Sequence, residues 1–211
     1  MVNFQNCIIF PNYVSPPYSR KERRYFSSRA SRNTNEQALV LCADNLPDGE
    51  ERAVIREFYF DIQHYQRLQL SVHAESPLIT NTRDGETELF VRLGPISNSD
   101  YFEVTIPLTI MQIGEKDPKR IWPKENALNL DFRDLGLIQL KGLREYKVPN
   151  PNGDGIQLRI KVVGSPNLNS EMIVMIGIRN RVILPDNDYK SKSICLWLND
   201  LRLIRAAPLD P

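Results

Sequence analysis

Alternation with a period of two is the feature that most narrows what this chain can fold into. In Arg67–Ala74, Leu68, Leu70, Val72 and Ala74 fall on one side, and Arg67, Gln69, Ser71 and His73 on the other. Successive side chains of a strand point to opposite faces, so this segment reads as a strand with one buried and one solvated face. Phe102, Val104, Ile106 and Leu108 repeat the pattern, as do Ile156, Leu158, Ile160 and Val162, and Phe58, Phe60 and Ile62. Ala38–Cys42, Glu88–Leu93, Ile173–Ile178 and Ile194–Ile204 are further strand candidates. The run Met172–Ile178 is apolar at both parities, which places that strand inside a sheet rather than at its margin.

Turn chemistry separates these runs: Leu46–Gly49 (LPDG), Thr82–Gly85 (TRDG), Pro149–Gly155 (PNPNGDG) and Leu184–Asp188 (LPDND). Only Leu130–Tyr146 breaks the period, with Phe132, Leu135 and Ile138 spaced by three, as on a short helix. Eight or nine short strands with at most one helix predict a mainly β fold: an antiparallel β-sandwich of jelly-roll type. The domain is expected to span residues 35–211. Residues 1–34 read as an irregular N-terminal arm, rich in Pro, Ser and Arg. Its stretch Arg20–Arg32 holds six basic residues and one acid. Such a run is ordinarily a solvated, loosely docked arm, although it could also touch an acidic surface or lipid headgroups.

Composition then removes whole classes. A net charge of +1 argues against nucleic acid as the main partner. No apolar run approaches the roughly 20 residues of a membrane helix. Membrane barrel strands alternate too, but these runs are short for a span, and their polar faces carry Arg, Lys, Glu and Gln. The start MVNFQNCIIF lacks the features of a secretory signal, so the chain is expected to be cytoplasmic or a piece of a longer exported protein. Three cysteines, Cys7, Cys42 and Cys195, make neither a disulfide framework nor a zinc site; one bridge is possible, and its pairing is left open.

No nucleotide, protease or hydrolase signature is present, so neither catalysis nor a cofactor is expected. Of the two histidines, His73 stands two residues before Glu75, which would suit a base and its orienting acid, but no nucleophile motif accompanies them. A histidine hydrogen-bonded across strands is the plainer expectation. Acids at Asp44, Asp48–Glu51, Asp154, Asp186 and Asp188 sit in turns; loop acids of this kind can bind calcium, but no calcium-loop spacing occurs. Trp122 lies in the segment IWPKEN. Trp197 alternates with Leu196 and Leu198, so if those face the core, Trp197 faces outward or into an interface.

Several blocks resemble one family. In order they are NEQAL (Asn35–Leu39), GEERAV (Gly49–Val54), DIQHYQRLQLSVHAE (Asp61–Glu75), LFVRLG (Leu89–Gly94), YFEVTIPL (Tyr101–Leu108), WPKEN (Trp122–Asn126), VVGSPNL (Val162–Leu168), MIGIRN (Met175–Asn180) and LWLNDLRL (Leu196–Leu203). Order and spacing resemble a segment of the SprA/Sov family, the outer-membrane translocons of the type IX secretion system of Bacteroidota, linked to gliding motility. The likeness runs from about Asn35 to Ile204. Ser165, Lys124, Arg181 and Asp200 depart from the family pattern, at positions that read as turns and strand ends.

The resemblance implies a non-enzymatic β-sandwich module within a longer chain at the outer membrane or cell surface, on the surface-facing or periplasmic side. It would cap or brace the barrel and meet partner subunits or exported cargo proteins. Tyr65, His73 and Glu75 in one strand, Trp122, and Trp197, Asn199, Asp200 and Arg202 in the last strand are the structural or interaction residues expected to matter. The polar members are expected to form a network that couples Glu75 to Arg202. A carbohydrate-binding-like surface module, using Trp197 or the tyrosines Tyr101 and Tyr189, is the alternative.

Overall fold

Among the described residues, eleven strands make two sheets that face each other across one apolar interior. The computed structural model describes Val14, Pro16 and residues 38–58, 62–77, 82–95, 99–112, 115–151, 155–167, 172–181 and 191–205. The expected arm, apart from Val14 and Pro16, therefore lies outside the described residues, as do Tyr189, Asp154, Asp186 and Asp188.

The strands are β1 (Leu39–Leu46), β2 (Glu51–Phe58), β3 (Arg67–Ser76), β4 (Thr87–Gly94), β5 (Tyr101–Pro107), β6 (Met111–Gln112), β7 (Leu128–Asp131), β8 (Glu145–Pro149), β9 (Gln157–Val163), β10 (Met172–Asn180) and β11 (Lys192–Ile204). The first sheet runs β1-β11-β3, with β6 and β7 sharing the far side of β3; the second runs β2-β10-β4-β5-β9-β8. Pairing is antiparallel throughout except for the two-residue contact of β3 with β6. The chain crosses between sheets at β1–β2, β2–β3, β3–β4, β5–β6, β7–β8 and β10–β11.

Period-two alternation is what closes the interior. Leu68, Leu70, Val72 and Ala74 of β3 and Leu196 and Leu198 of β11 line it from one sheet. Leu89, Val91 and Leu93 of β4, Phe102, Val104 and Ile106 of β5, and Val174, Ile176 and Ile178 of β10 line it from the other. Each of the larger of these side chains taken fully from water contributes about 2 kcal/mol, which makes this interior the main source of stability. As expected, β10 is internal, flanked by β2 and β4.

The helical spacing also holds. Helix α2 (Phe132–Leu140) buries Phe132, Leu135 and Ile138 against the core, and the Asp131 carboxylate caps it by accepting from the Arg133 N–H at 3.0 Å. A second, four-residue helix, α1 (Pro118–Ile121), was not expected; Asp117 caps it and Pro118 begins it. One strand expectation needs correction. Of Phe58, Phe60 and Ile62, Phe58 ends β2 (Glu51–Phe58) and Ile62 begins a 3-10 turn (Ile62–His64), while Phe60 lies outside the described residues. The charged residues within ERAVIREF hid that strand, because Arg52 lies exposed at the sheet's edge where the core does not demand an apolar side chain.

Candidate functional site on the outer sheet faces

The residues that packing inside the sandwich does not explain gather on the two outer faces. On the first sheet, strand register lays them in rows. Val40, Trp197 and His73 stand opposite one another across β1, β11 and β3. Cys42, Cys195 and Glu75 form the next row, and Cys42 and Cys195 are joined by a disulfide with Cα atoms 4.0 Å apart. Alternation thus sends Trp197 outward, as the sequence requires, yet it is only 6% exposed. Ile121 and Trp122, at the end of α1, lie over it with Val14, Ala38 and Val40 around them, making a second small apolar core.

His73 holds this roof down. Its ring is buried, 4.6 Å from Trp197 and 6.1 Å from Trp122 between centroids. The Ile121 carbonyl lies 2.7 Å from Nδ1 and can only accept, so Nδ1 carries a hydrogen. Nε2 lies 3.3 Å from the Glu75 carboxylate, an attractive contact when that nitrogen is protonated as well. Each ring nitrogen has a protein acceptor, so the arrangement clamps a loop to a sheet. Trp122 completes the roof by donating its Nε1–H to the Val14 carbonyl at 2.7 Å. Beyond it, the Asn126 amide pairs with the Thr109 backbone, accepting from its N–H and donating to its carbonyl, both at 2.8 Å. The WPKEN block is thereby stitched to the loop after β5.

The remaining expected residues are scattered along β11 and the start of β3. Asn199 is buried opposite Ser71. Asp200 has a positive φ of 62° at an irregularity in the β11–β3 ladder, a conformation that Asp tolerates better than Glu does. Its carboxylate accepts from Arg202. Tyr65 packs against the main core below β3, with the Arg205 guanidinium 5.8 Å from its ring centroid. The expected network linking Glu75 to Arg202 is not present. Glu75 stands opposite Cys195 and Arg202 opposite Gln69, six residues away along β3, or about 20 Å at strand rise.

The second sheet carries a feature the sequence reading missed. On its outer face Glu51 (β2), Arg179 (β10), Glu88 and Arg92 (β4) and Glu103 (β5) form one ionic lattice across four strands. Arg92 grips Glu51 with both terminal nitrogens at 2.7 and 2.8 Å and reaches Glu103 with Nε at 2.7 Å. Arg179 meets Glu88 at 2.7 Å, Glu103 at 2.8 Å and Glu51 at 3.0 Å. Beneath it, Phe90 is fully buried although it points away from the core, because the Arg92 and Arg179 guanidinium carbons lie 4.5 and 5.0 Å from its ring centroid. Gly177 stands opposite Phe90 and leaves room for that ring.

Burial alone would push the Glu103 carboxyl up, but hydrogen bonds from Arg179 and Arg92 outweigh it and hold the group below the usual carboxylate range. Glu51 is held down in the same way, against its burial, by Arg92 and Arg179. Burial likewise opposes the charge on Arg179, and Glu103, Glu51 and Glu88 more than restore it. The sequence signal was there: opposite charges recur at same-parity positions of strands that otherwise read as core. Register was needed to see that they meet.

Among the described residues, no group of three or more His, Cys, Asp or Glu side chains is placed to hold a metal ion, and no helix is long and apolar enough to cross a membrane. A family model, SprA_N, described as motility related/secretion protein, matches residues 1–209 and so extends the likeness into the arm that the sequence blocks left out. No curated protein matches the chain.

Proposed function

We infer the role of this chain from one premise: it belongs to the SprA_N family of motility related/secretion proteins. We propose that it is a non-enzymatic β-sandwich module of a SprA/Sov-like outer-membrane translocon, bracing or capping the barrel and meeting partner subunits or exported cargo. The observation that carries this reading is the construction of the outer faces. A lattice of three carboxylates and two guanidiniums ties four strands together on one side, and a disulfide with an aromatic clamp ties three on the other. Side chains spent on holding strands together suit a rigid body that bears load.

The strand order supports a jelly roll: β1-β11-β3 with β6 and β7 faces β2-β10-β4-β5, as two Greek keys require, with the β8–β9 hairpin added beyond β5. The Cys42–Cys195 disulfide supports an oxidising setting, the periplasm or the cell surface. The carbohydrate-binding alternative loses its main residue, since Trp197 is covered and cannot stack on a sugar without lifting α1.

The test is genetic. Arg179→Ala together with Glu103→Ala, in the full-length parent gene, is expected to lower export of secreted cargo and to slow surface spreading while the parent protein still reaches the envelope. Undiminished export from cells whose variant module is demonstrably unfolded would overturn the proposal.

A further inference from the structure

The open edge of the second sheet has the chemistry to pair with itself. β8 ends that sheet, and among the described strands it bonds to β9 alone. The Arg144 carbonyl accepts from the Val162 N–H at 2.8 Å, and the Asn150 N–H donates to the Ile156 carbonyl at 2.9 Å, so the even-numbered residues face β9. Glu145, Lys147 and Pro149 therefore turn their main-chain groups away from the sheet, where they form a template for a further strand. A groove of about 190 Å³ lies between this edge and α2, with Asp134, Leu137, Lys141, Tyr146, Lys147 and Pro149 in its walls. Of the five large apolar side chains exposed among the described residues, Leu137, Leu140 and Tyr146 lie on these two elements.

We propose that β8 is a self-docking edge at which two copies of this chain join antiparallel, about a two-fold axis through Tyr146. Charge complementarity sets that register. Outward main-chain groups must meet outward ones, so odd-numbered residues pair with odd-numbered residues. An axis through Glu145 sets Glu145 against its own copy, and an axis through Lys147 does the same for Lys147; like charges directly opposite are unfavourable. An axis through Tyr146 sets Glu145 of each copy opposite Lys147 of the other. Each of those pairs exchanges two main-chain hydrogen bonds. Pro149 has no N–H, so the ladder fades beyond them. Tyr146 shares the parity of the buried Val148, and the Lys141 ammonium of α2 lies 5.8 Å from its ring centroid. The two Tyr146 rings therefore meet on the face that carries α2, with Leu137 and Leu140 of both copies on the same side. The contact is short, which places the dimer in the weak, reversible class. The inference rests on this edge alone and does not depend on the translocon reading.

The experiment uses the full 211-residue chain with Cys7→Ser as the reference, so that the third cysteine cannot link two copies, and follows mass by analytical ultracentrifugation from micromolar to near-millimolar concentration. The reference chain is expected to pass reversibly from monomer to dimer. Glu145→Lys and Lys147→Glu each set like charges opposite one another at both pairs, and each is expected to weaken the dimer about 10-fold. Both side chains are exposed on the sheet margin, so the sheet circular dichroism should stay intact. The two single variants, mixed in equal amounts, are expected to dimerise with each other at least as tightly as the reference chain, because each then offers the other its opposite charges. Glu145→Lys/Lys147→Glu in one chain is expected to restore the dimer as well.

Three results would overturn the proposal: a reference chain that stays monomeric throughout, which leaves the edge to a strand of some other protein; single variants that dimerise as well as the reference chain, since the association then uses another face; and a mixture no tighter than either single variant, since Glu145 and Lys147 then do not set the register. Should a single variant lose its sheet dichroism, the double variant decides, and its failure to restore the dimer would overturn the proposal too.

Discussion

His73 stands directly opposite Trp197 across the β3–β11 ladder, with ring centroids 4.6 Å apart, on the outside of the sandwich rather than in its core. The pair is a foundation for the segment above it, because the same imidazole bonds the Ile121 carbonyl. His73→Ala removes the ring contact and leaves that carbonyl without its nitrogen. The expected cost is about 2 kcal/mol in urea unfolding. Proteolysis should cut between Glu115 and Asn126 before the sheets open. Equal protease resistance in variant and wild type would show that His73 does not hold the roof.

Arg179 touches Glu51, Glu88 and Glu103, and removing it leaves the buried Glu88 and Glu103 carboxylates short of counter-charge. Arg179→Ala is expected to destabilise by about 3 kcal/mol at pH 7, since losing one partner of a buried ionic group costs far more than an exposed pair is worth. The pH dependence follows from the same contacts. Glu51 and Glu103 bind protons less readily in the folded chain than in the unfolded one. Their contribution is therefore complete above the unfolded carboxylate value of about 4.3, and it fades as the pH falls below that toward their lowered folded values. Chemical denaturation of the wild type at successive pH values should show a steep loss below about pH 4 that is shallower in Arg179→Ala. Parallel curves would mean the lattice does not set acid stability.

Gly177 faces Phe90, and a Cβ built there would lie 2.4 Å from the Phe90 ring and 2.5 Å from the Arg52 carbonyl. The ring could turn aside, but the carbonyl belongs to the β2 backbone. Gly177→Ala is expected to cost about 2 kcal/mol despite the small change in volume. Adding Phe90→Leu should restore only part of it, because the backbone contact remains. Full restoration would place the whole strain on the ring.

What the sequence makes legible divides along the same line. Alternation gives the inward residues of β3, β4, β5, β9, β10 and β11, because a dry interior forces one parity to be apolar. Spacing by three gives α2 for the same reason. β2, β6, β7 and β8 escape: β6 is only two residues long, and β2 and β8 are sheet margins where one parity is free to be charged. The outer faces are legible in part. Parity turns Trp197 outward, but only the fold shows that α1 covers it. The lattice around Arg179 joins residues up to 128 positions apart, and no local period carries that information. Glu75 and Arg202 sit on adjacent strands as expected, but register, which short motifs do not encode, keeps them from meeting.

The last prediction concerns the disulfide. Cys42 and Cys195 are 153 residues apart in sequence and stand opposite each other on β1 and β11. A cross-link that closes so long a loop restricts the unfolded chain severely, and the chain-entropy account gives about 5 kcal/mol. Cys42→Ser/Cys195→Ser, or reduction of the wild type, should lower stability by about that amount. Both should leave the folded sheets unchanged in circular dichroism, because the two strands are already paired by backbone hydrogen bonds on either side of the bridge. The effect should fall mainly on the refolding equilibrium, because the bridge acts chiefly on the unfolded chain. A double serine variant that unfolds at the wild-type urea midpoint would show that the paired strands, and not the sulfur bridge, hold β1 in place.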